Sequence, residues 1–380
     1  MCYLASSLDM QMNGFNATIA AILIVTLGFP ARADVLIGLA DALSGQLAWT
    51  GEQEQRAAEM AVADINAAGG VLGQQVHLIV VDDFCDPKQA VAAARKLVAD
   101  GVAFVVGHGC SEASIAASPI YEEAGVVQIS PSSTNPMLTE QGRANVFRVI
   151  GRDDAQGTVA GNYLADRFAG QEIAILHDGT TYGKGLAEET KKQLNKRGFV
   201  EAIFKAYDPA KVSFSAEVAM LKAVNSSVVY LGGRSRAAAL LARTAGDLGY
   251  PLQLISGDTM GTEEFGLIAG AAADGTLFTS NTDPRENREA ASVIERMRAE
   301  NYMSDGFTLQ SYAAVQVWAK AVGKAGTLDA GAIISVLRND EFDTVLGRID
   351  FDYKGDLTVQ SWKWYVWKNG NYTPLNEQHR

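Results

Sequence analysis

The sequence predicts an α/β protein built as two doubly wound lobes. Three observations carry this: short runs that are apolar on both faces, amphipathic helical stretches between them, and a second such series after the first. The length of 380 residues suits two lobes, and 48% hydrophobic with 20% charged residues excludes a disordered chain. A net charge of -12 without any run of Lys or Arg would repel a phosphate backbone, so nucleic acid is not an expected partner.

Residues 17–29 form an apolar stretch too short to cross about 30 Å of hydrocarbon as a helix, and Ala31 and Ala33 are the small residues a signal peptidase accepts. A signal peptide over 1–33, cut after Ala33, is expected, although no Lys or Arg precedes its core and Asp9 does. Then come "VLIGLA" and a helix with Ala58, Ala61, Val62 and Ile65 at i, i+3, i+4 and i+7, ended by Gly69 and Gly70. "VHLIVVDD" leads to Asp86 as N-cap, Pro87 as first helical residue and a helix closed by Gly101. "VAFVVG", a helix over 111–124 and "VVQIS" complete the first series.

After "VFRVI" the second series runs through a helix near 154–168, "EIAILHD", a helix after Gly183, "SVVYLGG", a helix near 237–248, "LQLISGD" and "TLFTS". Helices near 287–300 and 307–325 follow, then "LGRIDFD" and "TVQSWKWYVWK", where Trp362, Trp364 and Val366 share one face of a strand. Packing is the expected role of these Trp residues, an aromatic binding surface the alternative.

Catalytic motifs fail on spacing. "HDGTTYGKGL" follows a strand and opens a helix as a phosphate loop does, but only three residues separate Gly179 from Gly183, and Gly185 stands where a hydroxyl would hold magnesium. No G-x-G-x-x-G follows a strand, so a dinucleotide fingerprint is absent from the sequence. Gly233-Arg234-Ser235-Arg236-Ala237 resembles a nucleophile elbow without its closing glycine, and the four His are dispersed, giving neither a base for Ser235 nor a metal spacing. No cofactor and no enzyme are expected. Polar loops just past strand ends remain, "GHGCSEAS" with Ser111 at a helix start and "SPSSTNP" with Thr134; their N–H groups and dipole suit a carboxylate, unless both residues merely cap helices. Cys85 and Cys110, an even number after removal of Cys2, either bond, closing a loop worth about 3 kcal/mol, or stay as buried thiols.

"SGQLAWTGE", "DINAAGGVLG", "VVDDFCDPKQAVAAARKLV", "GHGCSEAS", "ISPSSTNPMLT", "HDGTTYGKGLA" and "SYAAVQVW" occur in an order that resembles the periplasmic leucine/isoleucine/valine-binding proteins, the solute receptors of branched-chain amino acid ABC transporters. The resemblance spans Asp34 to about Leu375. It implies a type I periplasmic-binding fold of two α/β lobes, 34–152 with 282–356 and 153–281 with 357–380, joined by three crossings near Arg152, Asn281 and Asp356. It also implies a Cys85–Cys110 disulfide, an amino acid ligand in the interlobe cleft, a membrane permease as partner and a monomeric receptor in the periplasm.

Carried over by motif, Ser111 and the N–H of Thr134 would hold the ligand carboxylate, and the Ser132 carbonyl and Thr134 hydroxyl its ammonium. Tyr182 would cover the ligand on closure, leaving Lys184 solvated. Trp49, Thr50, Gly109, Cys110 and Thr259 complete the expected lining. Several positions depart from the family pattern. Arg234 stands where Tyr is common, and Thr259, beside Asp258, where a Glu pairs with the ligand ammonium. Gly109 replaces a larger apolar residue, and Thr50 occupies an aromatic site. Asp258 could still take the ammonium, and Arg234 implies either a polar or acidic ligand side chain or an acid of its own lobe.

Overall fold

A computed structural model of the chain describes residues 33–375; the expected signal peptide before Ala33 and residues 376–380 lie outside them. The first series runs β1 (Val35–Asp41), α1 (Ala48–Ala67), β2 (Val76–Asp82), α2 (Pro87–Ala99), β3 (Phe104–Gly107), α3 (Ser111–Ala124), β4 (Val127–Ser130), a single turn α4 (Met137–Glu140) and β5 (Val146–Arg148). Asp86 caps α2, accepting from the N–H groups of Lys88 and Gln89 at 2.9 Å, with Pro87 first in the helix as expected. The strands pair in the order β2-β1-β3-β4-β5, all parallel, so each connection must cross over through a helix.

The second series continues with α5 (Asp153–Arg167), β6 (Ile173–His177), α6 (Thr181–Lys196), β7 (Ile203–Ala206), α7 (Ser215–Ala223), β8 (Val228–Gly232), α8 (Ser235–Asp247), β9 (Gln253–Ser256), α9 (Glu263–Ala269) and β10 (Leu277–Asn281). Then come α10 (Ala291–Ala299), α11 (Thr308–Ala325), α12 (Ala330–Asn339), the hairpin β11 (Phe342–Thr344) and β12 (Gly347–Ile349), and the pair β13 (Trp362–Lys368) and β14 (Asn371–Pro374). The second sheet has the order β14-β13-β10-β9-β8-β6-β7, with β13 and β14 antiparallel to their neighbours.

Each sheet is buried on both faces. On the first, α2 and α3 press Ala90, Leu97, Ala117 and Tyr121 against one side. The other side meets α1 and, from far along the chain, α11 and α12, with Phe104 stacked on Trp318 at 5.1 Å. On the second, α5 and α6 cover one face and α7 to α9 the other. Trp364 and Val366 pack toward α5 and α6 while Tyr365 and Trp367 pack oppositely, so this aromatic strand is core on both faces.

The segment expected as one helix over 287–300 is helical only from Ala291. Two short 3₁₀ turns precede it, because Asn287 accepts from Glu289 N–H at 3.2 Å and donates to Val345 O at 3.0 Å, fixing the chain to the loop between β11 and β12. Among the described residues no helix is long and apolar enough to cross a membrane.

Candidate ligand site

The C-terminal ends of both sheets face a common cavity, the location at which open α/β sheets hold ligands. Its first wall begins at Asp41, the last residue of β1, and Glu54, on the buried stripe of α1. Their carboxyl groups hydrogen-bond to each other. Asp41 Oδ1 also accepts from Ala42 N–H at 2.7 Å, and Glu54 Oε2 from the Ser132 hydroxyl at 3.1 Å. Burial, reinforced by the charge of Asp83, pushes Asp41 up to about 6. Burial and the neighbouring Asp41 raise Glu54 well above its ordinary range, so the pair keeps a proton to higher pH than two free carboxyl groups would.

Gly109 explains how Asp41 reaches this wall. A Cβ at Gly109 would stand 2.1 Å from Asp41 Oδ1. The missing side chain therefore leaves no widened apolar pocket; the carboxylate occupies the space.

Behind the wall His108 is fixed by Asp83 at 2.6 Å and Tyr121 at 3.0 Å, while its carbonyl accepts from the hydroxyls of Ser114, Ser130 and Ser133 at 2.9, 2.8 and 3.1 Å. These bonds present Gly109, Cys110 and Ser111 to the cavity at the N-terminus of α3, whose first-turn N–H groups lack helical partners. Cys85 and Cys110 form a disulfide with Cα atoms 5.5 Å apart, which pins the loop before α2 to this turn. Glu112 lies near both sulfurs, but they are bonded to each other, and metal binding requires thiolate.

The second wall is built on the second sheet. Thr180 caps α6 by accepting from Gly183 N–H at 2.9 Å, and Asp178 Oδ1 takes the Thr180 N–H and hydroxyl at 2.9 and 2.6 Å. A Cβ on Gly183 would lie 2.7 Å from the Gly232 carbonyl, so the glycine lets α6 sit against the end of β8. The phosphate-like loop thus spends its donors on itself, and Lys184 points to a half-exposed Glu188 at 3.6 Å. Its product is the position of Tyr182, whose hydroxyl donates to Asp258 Oδ1 at 2.8 Å. Burial pushes Asp258 up to about 6, opposed by Tyr182 and Gln156.

The walls touch. Arg234 Nη2 lies 2.8 Å from Glu112 Oε1 and 3.0 Å from Cys85 Sγ, its guanidinium 5.8 Å above the Tyr182 ring. Its partner is therefore an acid of the opposite wall, where a ligand anion or an acid of its own series was expected. Asn135 Nδ2 donates to Thr181 O at 2.8 Å, Gly306 N–H to Gly261 O at 3.0 Å, and Glu263 N–H to Asp305 Oδ2 at 2.6 Å. The space between the walls is about 40 Å³, room for about three waters, so a larger ligand fits only if the walls part.

Of the residues singled out in the sequence, Thr50, Gly109, Cys110, Ser111, Ser132, Tyr182, Arg234, Asp258 and Thr259 line the cavity. Thr134 does not; it is wholly buried behind the first wall, its hydroxyl without a hydrogen-bond partner. Trp49, 37% exposed, lies outside the lining. Asp41, Glu54, Thr262 and Phe307 line it and were missed, as was Glu112 as the partner of Arg234. Glu54 was visible: counting back from Ala58 and Ala61 by four and seven places it on the apolar stripe. Ser235, the elbow-like serine, donates to Glu264 Oε2 at 2.6 Å.

Residues 34–371 match the periplasmic binding protein family model, and the chain belongs to that family. Among its relatives is a Leu/Ile/Val-binding protein homolog 1 from Brucella suis, 42% identical over 93% of this chain and 95% of that protein. An amino acid binding protein of Pseudomonas aeruginosa is 41% identical over 91% of this chain and 93% of its own length. Among solved structures, the leucine binding protein LivK of Thermotoga maritima superposes with a TM-score of 0.83 at 25% identity, covering 90% of this chain and 98% of that one. The branched-chain amino acid transporter substrate binding protein LivJ of Streptococcus pneumoniae, in complex with isoleucine, gives 0.81 at 27% identity over 89% and 97%.

Proposed function

We propose that this chain is exported, loses residues 1–33, and as a monomeric periplasmic receptor captures an amino acid and presents it to a membrane ABC permease. Two lobes, 34–152 with 282–356 and 153–281 with 357–380, close about the crossings near Arg152, Asn281 and Asp356. Ser111 and the α3 N-terminus hold the ligand carboxylate. The Ser132 carbonyl takes the ammonium, and Asp258, oriented by Tyr182, neutralises it from the second wall. Closure is driven by contacts made only when both walls meet, and the closed shape is what the permease reads. Capture needs no covalent step.

The observation that carries this reading is the meeting of a helix N-terminus from one wall with the Tyr182–Asp258 pair from the other across a small cavity. Calorimetric titration of the mature chain with the common amino acids tests it. At least one is expected to bind, and Ser111→Ala to weaken it tenfold or more, about 1.4 kcal/mol. A folded protein that binds no amino acid overturns the proposal.

A further inference from the structure

Resting on the amino-acid reading above, we propose that the ligand carries a second positive charge: an α-amino acid whose side chain ends in an ammonium or guanidinium group seated against the carboxyl pair Asp41–Glu54. The first support is steric. Gly109 and Asp41 fit together, the glycine opening the space that the carboxylate fills, so the acidic wall is built into the backbone geometry and is not a loose surface acid. Asp41 and Glu54 are both nearly fully buried and both face the cavity.

The second support is charge. Three carboxyl groups line the cavity, Asp41, Glu54 and Asp258, against one cation among the described residues, Arg234, and that cation is committed to Glu112. No unpaired cation faces the pair; the Ala42 N–H, a neutral donor, reaches Asp41 at 2.7 Å. Asp83 and His108 behind it are paired with each other at 2.6 Å, Ser132 contributes one hydroxyl, and Asp258 across the cavity is a further acid. On the opposite wall the buried Asp258 Oδ2 and Thr262 Oγ1 have no hydrogen-bond partner; the ligand's α-ammonium answers Asp258 there, which leaves the Asp41–Glu54 pair without a cation.

An aliphatic side chain packed here would leave a desolvated, net-negative pair unanswered, and an acidic one would be repelled. A cation answers it and lowers the affinity of the pair for its shared proton, which passes to solvent. Binding therefore releases a proton in the pH range where the raised Asp41 and Glu54 groups are partly protonated, and affinity rises with pH across that range and levels off above it.

The test is titration of the full mature chain with lysine, ornithine, 2,4-diaminobutyrate, arginine, leucine, glutamine and glutamate, each in two buffers of different ionisation enthalpy. At least one cationic probe is expected to bind tenfold or more tighter than leucine, with proton release that leucine does not show. In Asp41→Asn the ratio of cationic to leucine affinity is expected to fall at least tenfold; the wild-type proton release stands as the readout if that variant does not fold. Tightest binding by leucine, glutamine or glutamate overturns the inference and leaves the amino-acid receptor standing. Cationic binding without proton release, or with a ratio unmoved in folded Asp41→Asn, also overturns it. Binding of none of the probes or other amino acids would sink the receptor reading itself, and this inference with it.

Discussion

Two clusters of buried charge lie at different places in the molecule and are finished in opposite ways. At the junction between β5, α5 and the segment after β12, Arg148 Nε lies 2.6 Å from Asp356 Oδ1 and Arg152 Nη1 lies 2.7 Å from Asp356 Oδ2. The Thr139 hydroxyl reaches Asp356 at 2.9 Å, Arg148 Nη1 donates to the Ser133 and Asn135 carbonyls at 2.7 and 3.0 Å, and Arg152 continues to Asp154 and Glu140. Asp356, Asp154 and Glu140 there each meet a cation of the chain. In the cavity, Asp41 and Glu54 meet each other, the Ala42 N–H and the Ser132 hydroxyl, and Asp258 meets the Tyr182 hydroxyl and the Gln156 amide, none of them a cation. The comparison teaches that charges holding the chain in shape are closed within the chain, while those facing the cavity are left for something else to close.

The comparison breaks most visibly through Asp356. Asp356→Ala strands Arg148 in a site with no solvent access, a change expected to cost about 3–5 kcal/mol of unfolding free energy. Asp258→Asn removes a buried charge that no cation compensates, and denaturant titration of the ligand-free protein should find it within about 1 kcal/mol of the parent, or more stable. Equal losses in the two variants would mean that the cavity acids are structural.

A smaller effect comes from pH. Asp41 has its folded pKa raised from about 3.8 to about 6, so the folded chain holds the proton more tightly than the unfolded one. Its contribution is therefore most favourable below about 4, is withdrawn as pH rises to about 6, and stays withdrawn above. Two raised units correspond to roughly 2–3 kcal/mol as an order of magnitude. Asp41→Asn should accordingly gain on the parent between pH 4.5 and pH 7.5 in ligand-free denaturation curves. A difference between the two proteins that does not change with pH would show that Asp41 is not desolvated.

The alternation of strand and helix was readable because buried parallel strands are apolar on both faces and their helices keep one stripe. α7, α9, α12 and the edge strand β7 were not read: β7 is half to fully exposed and so lacks the apolar run that marks its neighbours. In the site, the loops past β3 and β4 were legible from their position, and Tyr182 through its motif. The Arg234 partner was not, because Glu112 is 122 residues away, in the first turn of α3 on the opposite wall, a proximity that no local pattern encodes. Gly109 was placed in the lining, but what fills the space beside it was not legible, for a related reason. A glycine shows that space is needed, and only the fold shows that Asp41 takes it. Thr134 carries its motif into the layer behind the cavity, a difference of one layer that sequence spacing cannot resolve.

The smallest expected effect sharpens the comparison from its exposed end. Lys184 completes the Gly-Lys pair that suggests a phosphate loop, yet it is half exposed and faces Glu188 one helical turn on, at 3.6 Å. Such pairs contribute about 0.3–0.5 kcal/mol because water screens both charges and two long side chains must be ordered. Lys184→Ala is expected to shift stability by no more than about 0.5 kcal/mol and to leave amino-acid binding within twofold, measured by denaturation and calorimetry side by side. A tenfold loss of affinity would place a working cation outside the cavity, and the division between charges closed within the chain and charges left for a ligand would have to be redrawn.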